Sequence, residues 1–102
     1  MAATPEAKVK AAIKAFLKSL TGCWFFSPIG GPFATHGVPD LIVVIRGRFV
    51  GIECKAPGKE NNTTANQDVA LENIRKAGGV AFVASSVETV KTQLFLAGLM
   101  VP

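Results

Sequence analysis

Cysteine, tyrosine, acidic residues and long apolar runs are all scarce in this chain, and most of these shortages exclude something. Cys23 and Cys54 are the only cysteines. They are too few and too far apart for a zinc cluster or a disulfide framework, so a reducing, intracellular and cytoplasmic setting is expected. No apolar run approaches the ~18 residues of a membrane-spanning helix. The opening MAATPEAKVKAA carries no apolar stretch after its first charges, which argues against a secretory signal. Tyrosine is absent, and charged residues make up 18% against 49% hydrophobic, a balance that excludes a disordered tail and supports a compact globule. Internal repeats and low-complexity linkers are missing, and 102 residues suit a single domain, 1–102, with a small core. Seven acidic residues face eleven Lys and Arg, a net charge of +4. That is compatible with a polyanionic partner, and also with an ordinary basic domain.

Thr4-Pro5-Glu6 combines an N-cap, a proline suited to the first helical position and a first-turn acid. A helix is therefore predicted from there to about Leu20, stopping near Gly22. Residues 23–27, CWFFS, read as a short strand whose aromatics belong to the core, and PIGGPFATHGVP as a Gly- and Pro-rich loop. LIVVI and RFVGIEC are two strands joined at Arg46-Gly47. After the polar loop APGKENNTT, Thr64 opens a second helix with Gln67 placed for a capping box, and Gly78-Gly79 closes it. VAFVA is a fourth strand, and Ser85 with Glu88 opens a last helix ending near Gly98. This αβββαβα order predicts an α/β sandwich with a mixed central sheet.

The hairpin carries two carboxylates. If Arg46-Gly47 is a two-residue turn, Ile45 pairs with Arg48, Val44 with Phe49, and counting outward sets Asp40 opposite Glu53. Opposed residues share a sheet face with Cβ atoms ~5 Å apart, and Lys55, two beyond Glu53, points the same way. Two carboxylates so close beside buried strands repel, and one tends to keep its proton unless a cation compensates. Oxygen-only ligands with room for water suit Mg²⁺ or Mn²⁺. Lys55 is then placed to orient or activate a water, or to stabilise charge on a phosphate. The plainer alternative is that Asp40 caps the strand and Glu53 pairs with Lys55. A three-residue turn would oppose Asp40 to Cys54 and turn it to the other face.

Gly37-Val38-Pro39-Asp40 followed by Glu53-Cys54-Lys55 resembles the PD-(D/E)XK nuclease superfamily, the restriction-endonuclease-like fold. More narrowly HGVPDLIVV, GIECKAPG and a later Gln after a Thr-rich loop are similar to the virus-type replication-repair nuclease domain (VRR-NUC). The likeness runs from Glu6 to about the final helix. It implies Mg²⁺- or Mn²⁺-dependent hydrolysis of DNA phosphodiesters. Asp40 and Glu53 would be metal ligands, joined by the Cys54 backbone carbonyl and by Glu6 of the first helix. Lys55 would serve the attacking water and transition state, and Gln67 would support the site. The side chain of Cys54 is assigned to the core. Structure-selective cleavage of flaps or four-way (Holliday) junctions in DNA repair, recombination or replication, a homodimer and a phage or mobile-element setting are further implications.

Other residues carry paired readings. At about 100° per residue, Val9, Ile13, Phe16, Leu17 and Leu20 form an apolar stripe that includes Glu6, which favours a site role over a mere interaction with the helix N-terminus. Lys10, Lys14 and Lys18 recur at i, i+4, either as a line awaiting a polyanion or as a solvated face. Arg46, Arg48 and Lys59 join them as DNA-contact candidates, and His36 either touches a phosphate or is structural. Thr64 and Gln67 as a capping box account for Gln67 without any site. Trp24 or Phe33 is placed to wedge against an opened base. The first helix and the loop of residues 28–39 are candidates for a dimer interface. The competing functions are a non-catalytic module that binds DNA junctions with the same fold, and an accessory protein whose carboxylates hold no metal.

Overall fold

The computed structural model describes residues 3–30 and 35–101; Phe33 lies outside them. The elements follow in the predicted order: α1 (Pro5–Lys18), β1 (Cys23–Phe26), β2 (Leu41–Ile45), β3 (Arg48–Cys54), α2 (Ala65–Lys76), β4 (Val80–Ala84) and α3 (Val87–Leu96). They build an α/β fold around a four-stranded mixed sheet ordered β1-β2-β3-β4. The first two pairings are antiparallel and β3–β4 is parallel.

Local chemistry explains most boundaries. Thr4 accepts the Ala7 N–H at 3.1 Å and Pro5 starts α1. The helix ends at Lys18, short of Leu20, where the Ser19 hydroxyl turns back to donate to the Phe16 carbonyl at 2.6 Å. The cap of α3 falls one residue later than predicted. Ser86, in extended backbone, accepts the Thr89 N–H at 3.2 Å, so Ser86 with Thr89 replaces Ser85 with Glu88. At the hairpin, Arg46 and Gly47 have φ of 51° and 79°. Positive φ at both central residues is the type I′ turn, whose twist matches that of the flanking strands. The pairing runs from Ile45 opposite Arg48 to Leu41 opposite Ile52, the register of a two-residue turn.

One sheet face meets α1 and α3. There Val9, Ile13, Leu17, Val90 and Leu94 pack with Leu41, Val43, Ile45, Val50, Ile52 and Cys54. The other face is covered by α2, which packs against β3 and β4 and against neither of the other two strands. Gly51 makes that approach possible, since a Cβ there would stand 3.0 Å from both Ile74 Cδ1 and Pro39 Cγ.

The partial cover corrects the expectation for CWFFS. Cys23 and Phe25 pack on the core, whereas Trp24 is 62% and Phe26 45% exposed. Alternation along β1 sends these two to the face that α2 leaves open.

Candidate active site

One step beyond the Leu41–Ile52 pair, the register brings Asp40 and Glu53 opposite each other, on the face that α2 covers. Asp40 is held twice. Its Oδ2 accepts the Cys54 N–H at 2.8 Å, and its backbone carbonyl accepts the Ser27 hydroxyl at 3.0 Å. Glu53, the last residue but one of β3, is 3% exposed. Its Oε2 accepts from Gln67 Nε2 at 2.9 Å and lies 3.6 Å from Lys55 Nζ. Its Oε1 is buried and has no partner. Lys55 continues β3, its N–H donating to the Ala84 carbonyl at 3.0 Å, which turns its side chain toward Glu53.

Gln67 serves two ends at once. Its Oε1 accepts the Thr64 N–H at 2.9 Å and its own N–H donates to Thr64 Oγ1 at 3.2 Å, while Nε2 reaches Glu53. The capping box and the site role, alternatives in the sequence, are both realised.

The electrostatics follow from burial. Loss of solvent pushes the Glu53 carboxyl up from 4.5 to about 7; the neighbouring Asp40 charge acts in the same direction, and Lys55 opposes them. A buried carboxylate oxygen without a donor costs free energy that a proton or a cation would remove. The donor set fits a hard divalent cation. Among the described residues no three His, Cys, Asp or Glu side chains gather to hold a metal, but Mg²⁺ is commonly bound through one or two carboxylates with waters and substrate phosphates completing its shell. Asp40, Glu53 and the Cys54 carbonyl supply oxygens of that kind.

Glu6 departs from its expected place. It is exposed, not part of the buried stripe formed by Val9, Ile13 and Leu17. At 100° per residue it sits about 60° round from Val9, at the stripe's margin, so the first turn leaves it in solvent. It is not brought into a cluster with Asp40 and Glu53, although its charge and that of Lys10 both reach the Cys54 thiol. That thiol is pushed up to about 12, mainly by burial and then by Asp40 and Glu53. Cys54 itself is a core side chain, as expected.

The basic candidates are spread out. Lys10 and Lys14 are half-buried and Lys18 is exposed, in a row that leads from the Cys54 end of the hairpin toward its turn. Arg46 and Arg48 lie at that turn, about 20 Å from Asp40 by strand rise, and Arg48 donates to the Gly78 carbonyl through Nε at 3.4 Å and Nη2 at 3.3 Å. Lys59 is exposed in the loop before α2. His36 and Asp40 both line an open cleft of about 450 Å³.

Sequence reasoning missed Ser27 and Gly51, and it quoted Gly37 and Pro39 as part of a motif without their packing role. Gly37 has φ of 82°, and a Cβ there would overlap the Asn66 carbonyl and approach Gln67 N to 2.9 Å. The loop carrying Asp40 is thereby docked on the helix carrying Gln67, and the Pro39 ring fills the space above Gly51. The signal was present in Gly-x-Pro-Asp, but its partner at Asn66 is far along the chain. Gly37→Ala is expected to lower stability by about 2–3 kcal/mol, from strained backbone plus overlap. Gly58→Ala, at φ of 84° but in open space, is expected to cost about 1 kcal/mol from backbone strain alone. Urea denaturation of both variants measures the difference, and equal losses would show that loop docking contributes nothing.

No family model, curated protein or solved structure matches the chain.

Proposed function

We propose that the chain is a metal-dependent endonuclease that hydrolyses DNA phosphodiester bonds, on a restriction-endonuclease-like sandwich akin to the VRR-NUC domain. The observation that carries this reading is the buried Glu53 beside the half-buried Asp40, with one Glu53 oxygen unpartnered and the other shared by Lys55 and Gln67. Asp40, Glu53 and the Cys54 carbonyl would hold Mg²⁺ or Mn²⁺, which when bound neutralises charge and polarises a phosphoryl oxygen. The chain's own groups do the rest. Lys55, its side chain only 12% exposed, presents a cation where negative charge develops on the phosphate. Gln67 keeps Glu53 oriented, and the Cys54 N–H fixes Asp40.

The basic balance of the chain supports a polyanionic substrate, and branched or flapped DNA is the proposed class. A homodimer would let single-site protomers cut both strands. Cleavage of labelled duplex, flap, splayed-arm and four-way-junction DNA with Mg²⁺, Mn²⁺ or EDTA tests the reading. Metal-dependent scission that EDTA abolishes is the expected result. Junction binding without cutting under every metal condition would overturn it in favour of a non-catalytic binding module.

A further inference from the structure

Where α2 stops short of β1 and β2, the sheet face it packs on is left open, a feature the proposed chemistry does not use. Its side chains fall into three cross-strand rows. Trp24 is opposite Val44, which is opposite Phe49. Phe26 is opposite Ile42, which is opposite Gly51. The third row is Asp40 with Glu53. Successive rows are about 7 Å apart along the strands, and because alternate residues share a face all three look the same way. Along β1 and β2 the aromatic rows therefore lead toward Asp40, while on β3 the Pro39 ring and Ile74 cover Gly51.

This face is built unlike a buried one. Trp24, Phe26, Val44 and Phe49 are all exposed, and the Trp24 and Phe26 rings stand 5.5 Å apart at 48°. Apart from the Asp40 and Glu53 row, no acidic side chain lies on it from these three strands. Of the acids on α2, Asp68 is engaged by Thr63 at 2.6 Å and Glu72 by Arg75 at 3.5 Å. Cations stand at both ends of the strip, Arg46 at the hairpin turn and Lys55 at the site. An open cleft lined by Pro28, Ile29, His36, Val38, Pro39 and Asp40 lies beyond the end of β1. A second copy seated flat on these rows would close the mouth of the site, which a substrate strand would instead enter.

We infer that this face is a stacking platform for unpaired bases, with Trp24 and Phe26 as the two rings, so that the single-stranded arm of a branched DNA lies on the sheet and leads its backbone to Asp40 and Glu53. The inference rests on the nuclease reading for its substrate and deepens it to DNA with unpaired bases beside the cut. Stacking on aromatic side chains tolerates any base, because every base has a π face. Exposed aromatics on a four-stranded sheet are an established way to hold two or three unpaired nucleotides. Selectivity here would come from the open arm and not from base sequence.

Trp24 is the single tryptophan and the chain has no tyrosine, so intrinsic indole fluorescence reports this face alone. Titration with an oligothymidylate in EDTA, where no cutting occurs, is expected to quench that fluorescence saturably, and a blunt hairpin duplex is expected to quench it weakly. Phe26→Leu should weaken oligothymidylate binding about tenfold and leave duplex binding within about twofold. Trp24→Leu, followed by anisotropy of labelled oligothymidylate, should do the same. Circular dichroism of both variants confirms that the edge strand still folds. Indole fluorescence that ignores the oligonucleotide overturns the proposal. So does a blue shift that tracks protein concentration and sedimentation as a dimer, which would make the face a contact between copies. Quenching by single strands in a protein that cuts nothing with any metal would leave the platform standing and remove only the nuclease reading.

Discussion

Asp40→Asn is expected to reduce metal-dependent DNA cleavage by about 10³-fold or more. Charge stabilisation through a divalent ion is worth several kcal/mol, and each 1.36 kcal/mol is a factor of ten in rate. The substitution is close to isosteric. An amide oxygen can still accept the Cys54 N–H that Asp40 Oδ2 accepts now at 2.8 Å, and the Ser27 hydroxyl still reaches the residue 40 carbonyl. Folding should therefore survive while the negative charge is lost. The same change removes one of the influences that raise Glu53, so Glu53 should titrate closer to an ordinary carboxyl. Cleavage under saturating Mn²⁺, read beside a denaturation curve, separates lost chemistry from lost structure. Activity within tenfold of the parent would show that Asp40 is a strand cap and that the metal reading fails. Lys55→Ala provides the companion measurement: if the ammonium stabilises charge on the phosphate, it should lower the rate at saturating metal while leaving Mn²⁺ affinity nearly unchanged.

Glu53→Gln is expected to make the metal-free protein more stable at alkaline pH, an unusual direction for a change at a buried polar residue. The folded-state carboxyl is raised from 4.5 to about 7, so the native state holds its proton more tightly than the unfolded chain does. The stability linked to that proton is fully present below about pH 4.5 and is lost as pH rises through about 7. The full shift corresponds to on the order of 3 kcal/mol. Glu53→Gln removes the titrating group and with it the buried carboxylate charge beside the unpartnered Oε1. The amide oxygen can still accept from Gln67. Urea denaturation between pH 5 and 8.5 in EDTA is expected to show the parent losing stability relative to Glu53→Gln as pH rises. Added Mn²⁺ should restore the parent by mass action and leave the variant unmoved. A pH-independent difference between the two proteins would show that burial does not raise the Glu53 carboxyl.

How much of this site can be read from the chain depends on how far each constraint reaches. Asp40 and Glu53 are paired by the Arg46-Gly47 turn between them, so their meeting follows from counting residues outward. Gln67 was legible as a cap because Thr64 lies three residues away. That its other end reaches Glu53 was not, because the hydrogen bond spans 14 positions and depends on where α2 rests on the sheet. Gly37 was visible within Gly-x-Pro-Asp without revealing the Asn66 backbone it touches. Glu6 fell within a periodic stripe, yet periodicity gives an angle round a helix and does not say how far along it the neighbouring layer extends.

Sequence alone therefore determined the element order, the helix N-caps at Thr4 and Thr64, and the opposition of two carboxylates as the consequence of a two-residue turn, which the structure then selected over a three-residue one. These rest on hydrogen bonds and dihedral preferences closed between near neighbours. Tertiary structure alone decided that Glu53 would be buried with an unpartnered oxygen, that Gln67 would reach it, that Glu6 would stay in solvent and that Trp24 and Phe26 would face outward. Each of those depends on which part of the sheet α1 and α2 cover. Coverage is set by the sum of many small packing contacts between distant segments, so no short stretch of chain contains it.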